Sequence, residues 1–385
     1  MASPSVMTKK FGKKLESISV EKLSEGLFRE LDWGSSEFSE AVQAKTINSA
    51  DLFGCGNASS VESPCSWLLD GKPKPNARSI VDRWHVKLNS QSQIEQVASE
   101  VFNAVEEYAL NSQCASQAYL VLAASHSVRK LVGNSEFAQW QSAVNRLFDI
   151  SKAVEGNSEI SMEAYQWLAI ELPLVVSWQF PEWDGCQLWA EEASRKMSLS
   201  ISELLDHDGW PTTRCLPSFG TLAASWVRCQ LILDAMKSTS ILSQDTGLDV
   251  VSQLEWMVRQ IFRMMCSDRK LVFANHDSAV ASKAFLKCLL RLSSDGDDKI
   301  LLKQTLGKFK KKVQESKSTD ALEIEASNVS EWSESALMRS NWDRDSPRLA
   351  VNFSNGKIVS EVSRKHGLVC GETTPEILAD GELLN

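Results

Sequence analysis

The sequence is short of the side chains that most often declare a chemistry. Tyrosine occurs three times and histidine five times in 385 residues, so groups that exchange protons near neutral pH are scarce. The nine cysteines (Cys55, Cys65, Cys114, Cys186, Cys215, Cys229, Cys266, Cys288 and Cys370) are scattered. No two stand at CxxC spacing, which leaves a zinc or dithiol motif unsupported. Most lie among apolar residues, as small hydrophobes do, a usage that suits a reducing compartment. No nucleotide motif, P-loop or nucleophile elbow is present; no cofactor and no metal is expected. No apolar run reaches membrane-spanning length. Lys9, Lys10, Lys13 and Lys14 are not followed by the apolar stretch of a secretory leader, so the chain as written reads as cytoplasmic. Its 41 basic against 50 acidic residues, a formal charge of −9, argue against nucleic acid and against an anionic membrane as partners.

What is present is a core and an unusual number of tryptophans. Hydrophobic residues make up 43% of the chain, and thirteen are Trp. Trp stacks on sugar faces but also fills wide gaps between helices, and the second use is the commoner. Residues 1–79 read as an irregular N-terminal lead-in with one short amphipathic candidate at 15–31. The part from 48 to 79 is rich in Ser, Asn, Gly and Pro and is expected outside the core. From about 91 helix follows helix, with Ile94, Val97, Val101, Phe102 and Val105 at helical spacing. Further helices are expected near 114–131, 137–148, 160–178 (cut by Pro173), 184–205, 217–236, 248–265, 278–292 and 297–315. Two of them, 114–131 and 217–236, are apolar around most of their circumference, which implies burial on more than one side. A double-layered ring accommodates that better than an open single layer.

After the lysine-rich 308–317 and a polar link the texture becomes strand-like. Arg348-Leu-Ala-Val-Asn-Phe353 alternates, with Leu349, Val351 and Phe353 on one side, and Ser354-Asn-Gly-Lys357 suits a hairpin turn. So few strands need other elements to cover them.

The organising stretch is Asp206-His-Asp-Gly-Trp-Pro-Thr-Thr-Arg-Cys-Leu-Pro-Ser-Phe-Gly220, a polar turn that empties into an apolar helix. Asp208 and Gly209 serve turns everywhere. Arg214 can hold a carboxylate bidentately, or simply pair with Asp206 or Asp208. His207 is either a base near neutral pH or a capping residue. Asn275-His276-Asp277 are ligand-type residues in a loop, although Asp277-Ser278 also reads as an N-cap. Gln166, Trp167 and Glu171 either line a ring centre or pack in the ordinary way.

The order of helical array, then sheet, resembles the heparinase II/III-like family. Three stretches carry the likeness: Asp208-Gly-Trp-Pro-Thr-Thr-Arg-Cys-Leu-Pro217, Leu271-Val-Phe-Ala-Asn-His-Asp-Ser278, and the segment from Trp332 to Val351 with its Arg339-Ser-Asn-Trp342. The resemblance implies a mainly α fold: an incomplete (α/α) toroid at 80–315, then a short antiparallel β segment at 330–385 as the start of a β-sandwich cut short. It also implies a polysaccharide lyase acting by β-elimination on uronic-acid-containing glycans, with an acidic polysaccharide or oligosaccharide as partner. Family members are often exported. Such a lyase neutralises the uronate carboxylate, removes the C5 proton and protonates the leaving oxygen. In the family an Asn of an inner helix, a Tyr after the Asp-Gly turn and a His from the sheet side do this.

Here Gln166 stands where the Asn is expected and Glu171 at a family acidic position. Ser218 and Phe219 occupy the neighbourhood of the Tyr, and His366 is the only histidine beyond His276. The roles implied are Gln166 as neutralising amide, His207 or His276 as acid–base group, and Asp208, Trp210, Arg214, Glu171 and Asn275 as substrate-binding residues, with no metal. The missing Tyr keeps a second reading open, a non-catalytic glycan-binding or scaffold remnant. A glycoside hydrolase using Asp208 with Glu171 is a third.

Overall fold

The computed structural model describes residues 52–53, 63–69, 75–109, 114–133, 135–181, 184–238, 248–274, 279–293, 295–306, 326–339, 341–342, 346–354, 358–364, 367–373, 377–379 and 382–384. Its helices are α1 (Pro75–Asn89), α2 (Ile94–Glu106), α3 (Ala115–Ser125) and α4 (Phe137–Glu155). The next, α5, begins at Met162–Tyr165, passes through a π-helical Gln166–Glu171 and resumes as Leu172–Gln179. Then come α6 (Asp184–Leu204), α7 (Phe219–Ser238), α8 (Leu248–Met264), α9 (Lys283–Leu292) and α10 (Gly296–Leu306).

Their contacts fall into two rows. Along one row α1 packs on α3, α3 on α5, α5 on α7 and α7 on α9; along the other α2 packs on α4, α6 on α8 and α8 on α10. The first row is inner and the second outer, and burial follows that division. In α7, Leu222, Ala223, Ala224, Trp226, Val227, Arg228, Cys229, Leu231, Ile232 and Met236 are all buried, a set that goes right round the helix. In α8 only the face of Leu254, Met257, Val258, Ile261 and Phe262 is buried, while Val251 and Trp256 are exposed. The fold is mainly α, an incomplete (α/α) toroid followed by a short antiparallel β segment.

The lead-in departs from its expected place outside the core. Phe53, Cys65, Trp67, Leu68 and Leu69 are all buried. Ser63 and Ser66 are anchored on Asp82 of α1, at 2.9 and 2.8 Å, and Ser66 also meets the Tyr119 hydroxyl of α3 at 2.7 Å. At the far end Cys288 and Arg291 of α9 donate to the carbonyls of Phe53 and Leu52, and Trp67 lies 5.4 Å from Phe285. Between these, α7 donates to the Leu68 carbonyl from Thr221 at 3.2 Å. Gly220 makes that approach possible, since a Cβ there would lie 3.2 Å from the same oxygen. The segment thus joins the two ends of the inner row. Its residues are shared between the two hydrophobic clusters, Phe53, Trp67 and Leu68 in one, Cys65 and Leu69 in the other. The reason is local: a stretch short of helix formers keeps free carbonyls, and these meet donors projecting from two inner helices, α7 and α9.

Pro173 does not cut α5. Proline lacks an N–H and crowds the preceding turn of an α-helix. The π-helical turn immediately before it, Gln166–Glu171, opens the backbone pitch, and the helix carries on.

The sheet is an antiparallel meander, β1 (Asn328–Ser330), β2 (Ser335–Arg339), β3 (Arg348–Asn352), β4 (Ile358–Arg364) and β5 (Gly367–Thr373), with a separate pair β6 (Ile377–Ala379) and β7 (Glu382–Leu384). Asn352 pairs with Val359, which brings β3 and β4 together as a hairpin; the Asn-Gly turn itself lies outside the described residues. The apolar side of β3 is not its buried side. Arg348, Ala350 and Asn352 are buried, whereas Phe353 is 42% exposed. Polar residues face inward because they hold the sheet to the helices. Arg348 donates to the Met265 carbonyl at the end of α8, and Asn352 donates to the Thr213 hydroxyl ahead of α7 at 3.4 Å as well as to Ser335 of β2 at 3.0 Å.

Candidate functional site

The inner helices carry a buried polar cluster where sequence alone shows two isolated charges in apolar surroundings, Glu171 in α5 and Arg228 in α7. The π-turn sets Gln166 and Glu171 side by side towards α7. The Arg228 guanidinium grips the Glu171 carboxylate with two bonds, Nε to Oε1 at 2.5 Å and Nη2 to Oε2 at 2.8 Å, and its Nη1 reaches the Pro64 carbonyl at 3.0 Å. Ser225 adds a bond to Glu171 Oε2 at 2.6 Å, and His126 Nε2 lies 3.1 Å from Oε1. Gln166 spends both ends of its amide within the same cluster. Its Nε2 donates to Ser225 Oγ at 3.1 Å, and its Oε1 accepts from the Trp226 indole at 3.0 Å.

Charge follows geometry. Burial alone would raise the Glu171 pKa, but Arg228 and then His126 hold it down at about 2. Burial would likewise lower that of His126, but Cys65 and Glu171 outweigh it and bring it up to about 9. Glu171 keeps Arg228 firmly protonated against the desolvation that opposes it. The cluster is therefore a closed ionic network in which each charge has a hydrogen-bonded opposite, the condition under which burying charge is tolerable.

The Asp206 turn is a different object. Asp206 Oδ1 accepts from the backbone N–H groups of Asp208 and Trp210 at 2.9 and 2.8 Å, and its Oδ2 accepts from Ser330 at 2.8 Å. Gln260 of α8 donates to the Asp208 carbonyl at 2.8 Å, and Thr213 donates to the Ser333 carbonyl at 2.6 Å. Gly209 has φ +74°, and a Cβ there would sit 2.3 Å from the Met257 nitrogen. The turn is the joint between toroid and sheet.

The sequence-derived site residues accordingly separate. Gln166 and Glu171 are together but sealed, 1% and 0% exposed. Trp210 is buried at the joint, whereas His207, Asp208 and Arg214 face solvent. Arg214 has a loose partner in Glu203, 3.9 Å away, with both side chains about two-thirds exposed (64% and 68%). Asn275, His276 and His366 lie outside the described residues. Two exposed tryptophans were not singled out by sequence. Trp256 (42% exposed) stands on the part of α8 that touches Gly209, and Trp332 (49%) on the β1–β2 turn whose Ser330 and Ser333 bond the joint. His126, Ser225 and Arg228 were missed as well. A lone arginine in the apolar run 222–236 was the available signal, because a buried cation demands a buried anion.

No protein-family model matches the chain, and no curated protein does. Among solved structures it is similar to a heparinase III with methylated lysines, at 12% identity and a TM-score of 0.50, over 92% of this chain and 64% of that one. A mutant of the heparan sulfate lyase HepC from Pedobacter heparinus also aligns, at 12% identity and a TM-score of 0.44, over 92% of this chain and 63% of that one. The chain thus spans less than two thirds of the structures it matches. The likeness to the heparinase III is one of fold.

Proposed function

We propose that this chain binds an acidic oligosaccharide on a lyase-like scaffold without cleaving it by β-elimination. The observation that carries the reading is the closed amide of Gln166. A group that neutralises a uronate must offer its N–H to the substrate, and this one is 1% exposed and already bonded to Ser225 and Trp226. No tyrosine follows the Asp-Gly turn to exchange a proton. What faces solvent around that turn is of carbohydrate-binding type: Arg214 and His207 as polar partners for carboxylates or sulfates, and Trp256 and Trp332 as stacking surfaces. A glycan partner is in keeping with the heparinase III of like fold, and an arginine with aromatic surfaces near it can act locally against a global charge of −9.

The test pairs two measurements. Heparan sulfate, heparin and alginate are incubated with the protein while absorbance near 232 nm, the signature of an unsaturated uronate, is followed; no rise is expected. Calorimetric titration with the same glycans should show salt-sensitive binding that weakens about tenfold in Arg214→Ala and in Trp256→Ala. A rise at 232 nm restores the lyase reading, and absence of binding to every acidic glycan overturns the proposal.

A further inference from the structure

A small cavity between the lead-in, α1 and α3 has no part in the reading above. It measures about 40 Å³ and is lined by Cys65, Trp84, His85, His126, Ser127 and Lys130, among others. That is room for a few water-sized molecules. Lys130 donates to Asn89 at 2.5 Å, and Asn89 meets His85 at 3.0 Å, so one wall is a tied polar chain. On the other wall the Cys65 thiol lines the cavity together with the His126 ring, with which it interacts electrostatically, and Nε2 of that ring is braced by Glu171 at 3.1 Å. The order thiol, imidazole, carboxylate is the one that activates a sulfur nucleophile, because the ring takes the thiol proton and the acid orients and stabilises the charged ring.

The groups facing the sulfur reinforce this. Arg228 addresses it from α7 and Tyr119 from α3, while Asp82 of α1 is occupied by Ser63 and Ser66. Two cations, His126 and Arg228, therefore act on the sulfur, and His126 keeps its proton well above neutral pH. His85 across the cavity is held neutral by burial and by Lys130, so it does not compete as an acid.

We propose that Cys65 is a peroxide-reactive thiol, oxidised to a sulfenic acid in this cavity with His126 as the proton donor. The Cys65 thiolate attacks one oxygen of hydrogen peroxide, an S–O bond forms and the O–O bond breaks. The departing hydroxide takes the proton of the His126 imidazolium and leaves as water. Sulfur is oxidised by two electrons and the peroxide is reduced by two.

The experiment treats the native full-length chain with a few equivalents of hydrogen peroxide in the presence of dimedone and maps the adducts by peptide mass spectrometry. Cys65 should be labelled about tenfold faster than Cys114, an exposed thiol outside the cluster, with buried Cys215 and Cys229 unlabelled. In His126→Asn the Cys65 rate should fall to that of Cys114. If that variant unfolds, which labelling of Cys215 and Cys229 would reveal, the comparison of Cys65 with Cys114 in the wild-type protein decides on its own. Cys65 reacting no faster than Cys114 in the native protein overturns the proposal.

Discussion

At the scale of single residues the molecule is governed by a few buried charges. His126 and His85 act on stability in opposite directions. His126, raised from 6.5 to about 9, contributes stability that is complete below pH 6.5 and is lost as pH rises through 9. His85, lowered from 6.5 to about 4, contributes stability that is complete above pH 6.5 and is lost as pH falls through 4. Glu171, held near 2, adds an acid loss only below 4.5. Urea denaturation at a series of pH values should give a stability maximum near 6.5, with the alkaline limb flattened in His126→Gln and the acid limb in His85→Gln. A profile level between about pH 5 and 8 would contradict the assignment. Glu171 was legible as a candidate, but its role was not. Sequence places a carboxylate in an apolar helix; only the fold reveals that its partner comes from α7, 57 positions away.

Helices were the most legible elements, because periodic burial and apolar character leave their mark residue by residue. The sheet was less so. The face of β3 that reads as apolar is the less buried one, since Arg348 and Asn352 bond to neighbours that the pattern does not contain. The lead-in was illegible for a related reason: its attachment runs through backbone carbonyls, which every sequence has. The Asp206 turn was legible as a turn but not as a joint. Gly209→Ala should test it, because an alanine there must adopt a left-handed φ with its Cβ against the α8 backbone. A loss of about 2 to 3 kcal/mol in chemical denaturation is expected; an unchanged midpoint would mean that the turn can move away from α8.

For the whole molecule the decisive contact is that of Trp67, fully buried and facing both Phe53 and Phe285. Trp67→Ala should cost about 3 to 5 kcal/mol. Hydrogen exchange should then speed up in α1 and α9 together, at the two ends of the inner row. Faster exchange confined to residues near 67 would make it an ordinary core residue. The ring was legible in sequence but the segment that joins its ends was not, since the joining depends on contacts such as that of Cys288 with Phe53, 235 positions apart.

That separation sets a timetable. During synthesis Phe53 and Trp67 leave the ribosome among the first apolar residues of the array, yet Phe285, Cys288 and Arg291 follow more than two hundred codons later. At about 5 to 20 residues per second, these two fully buried rings spend about ten seconds or more without their final neighbours. The inner row is therefore completed only when its last helix meets the lead-in, and a holding factor that shields those rings in the interval should raise the yield of folded protein.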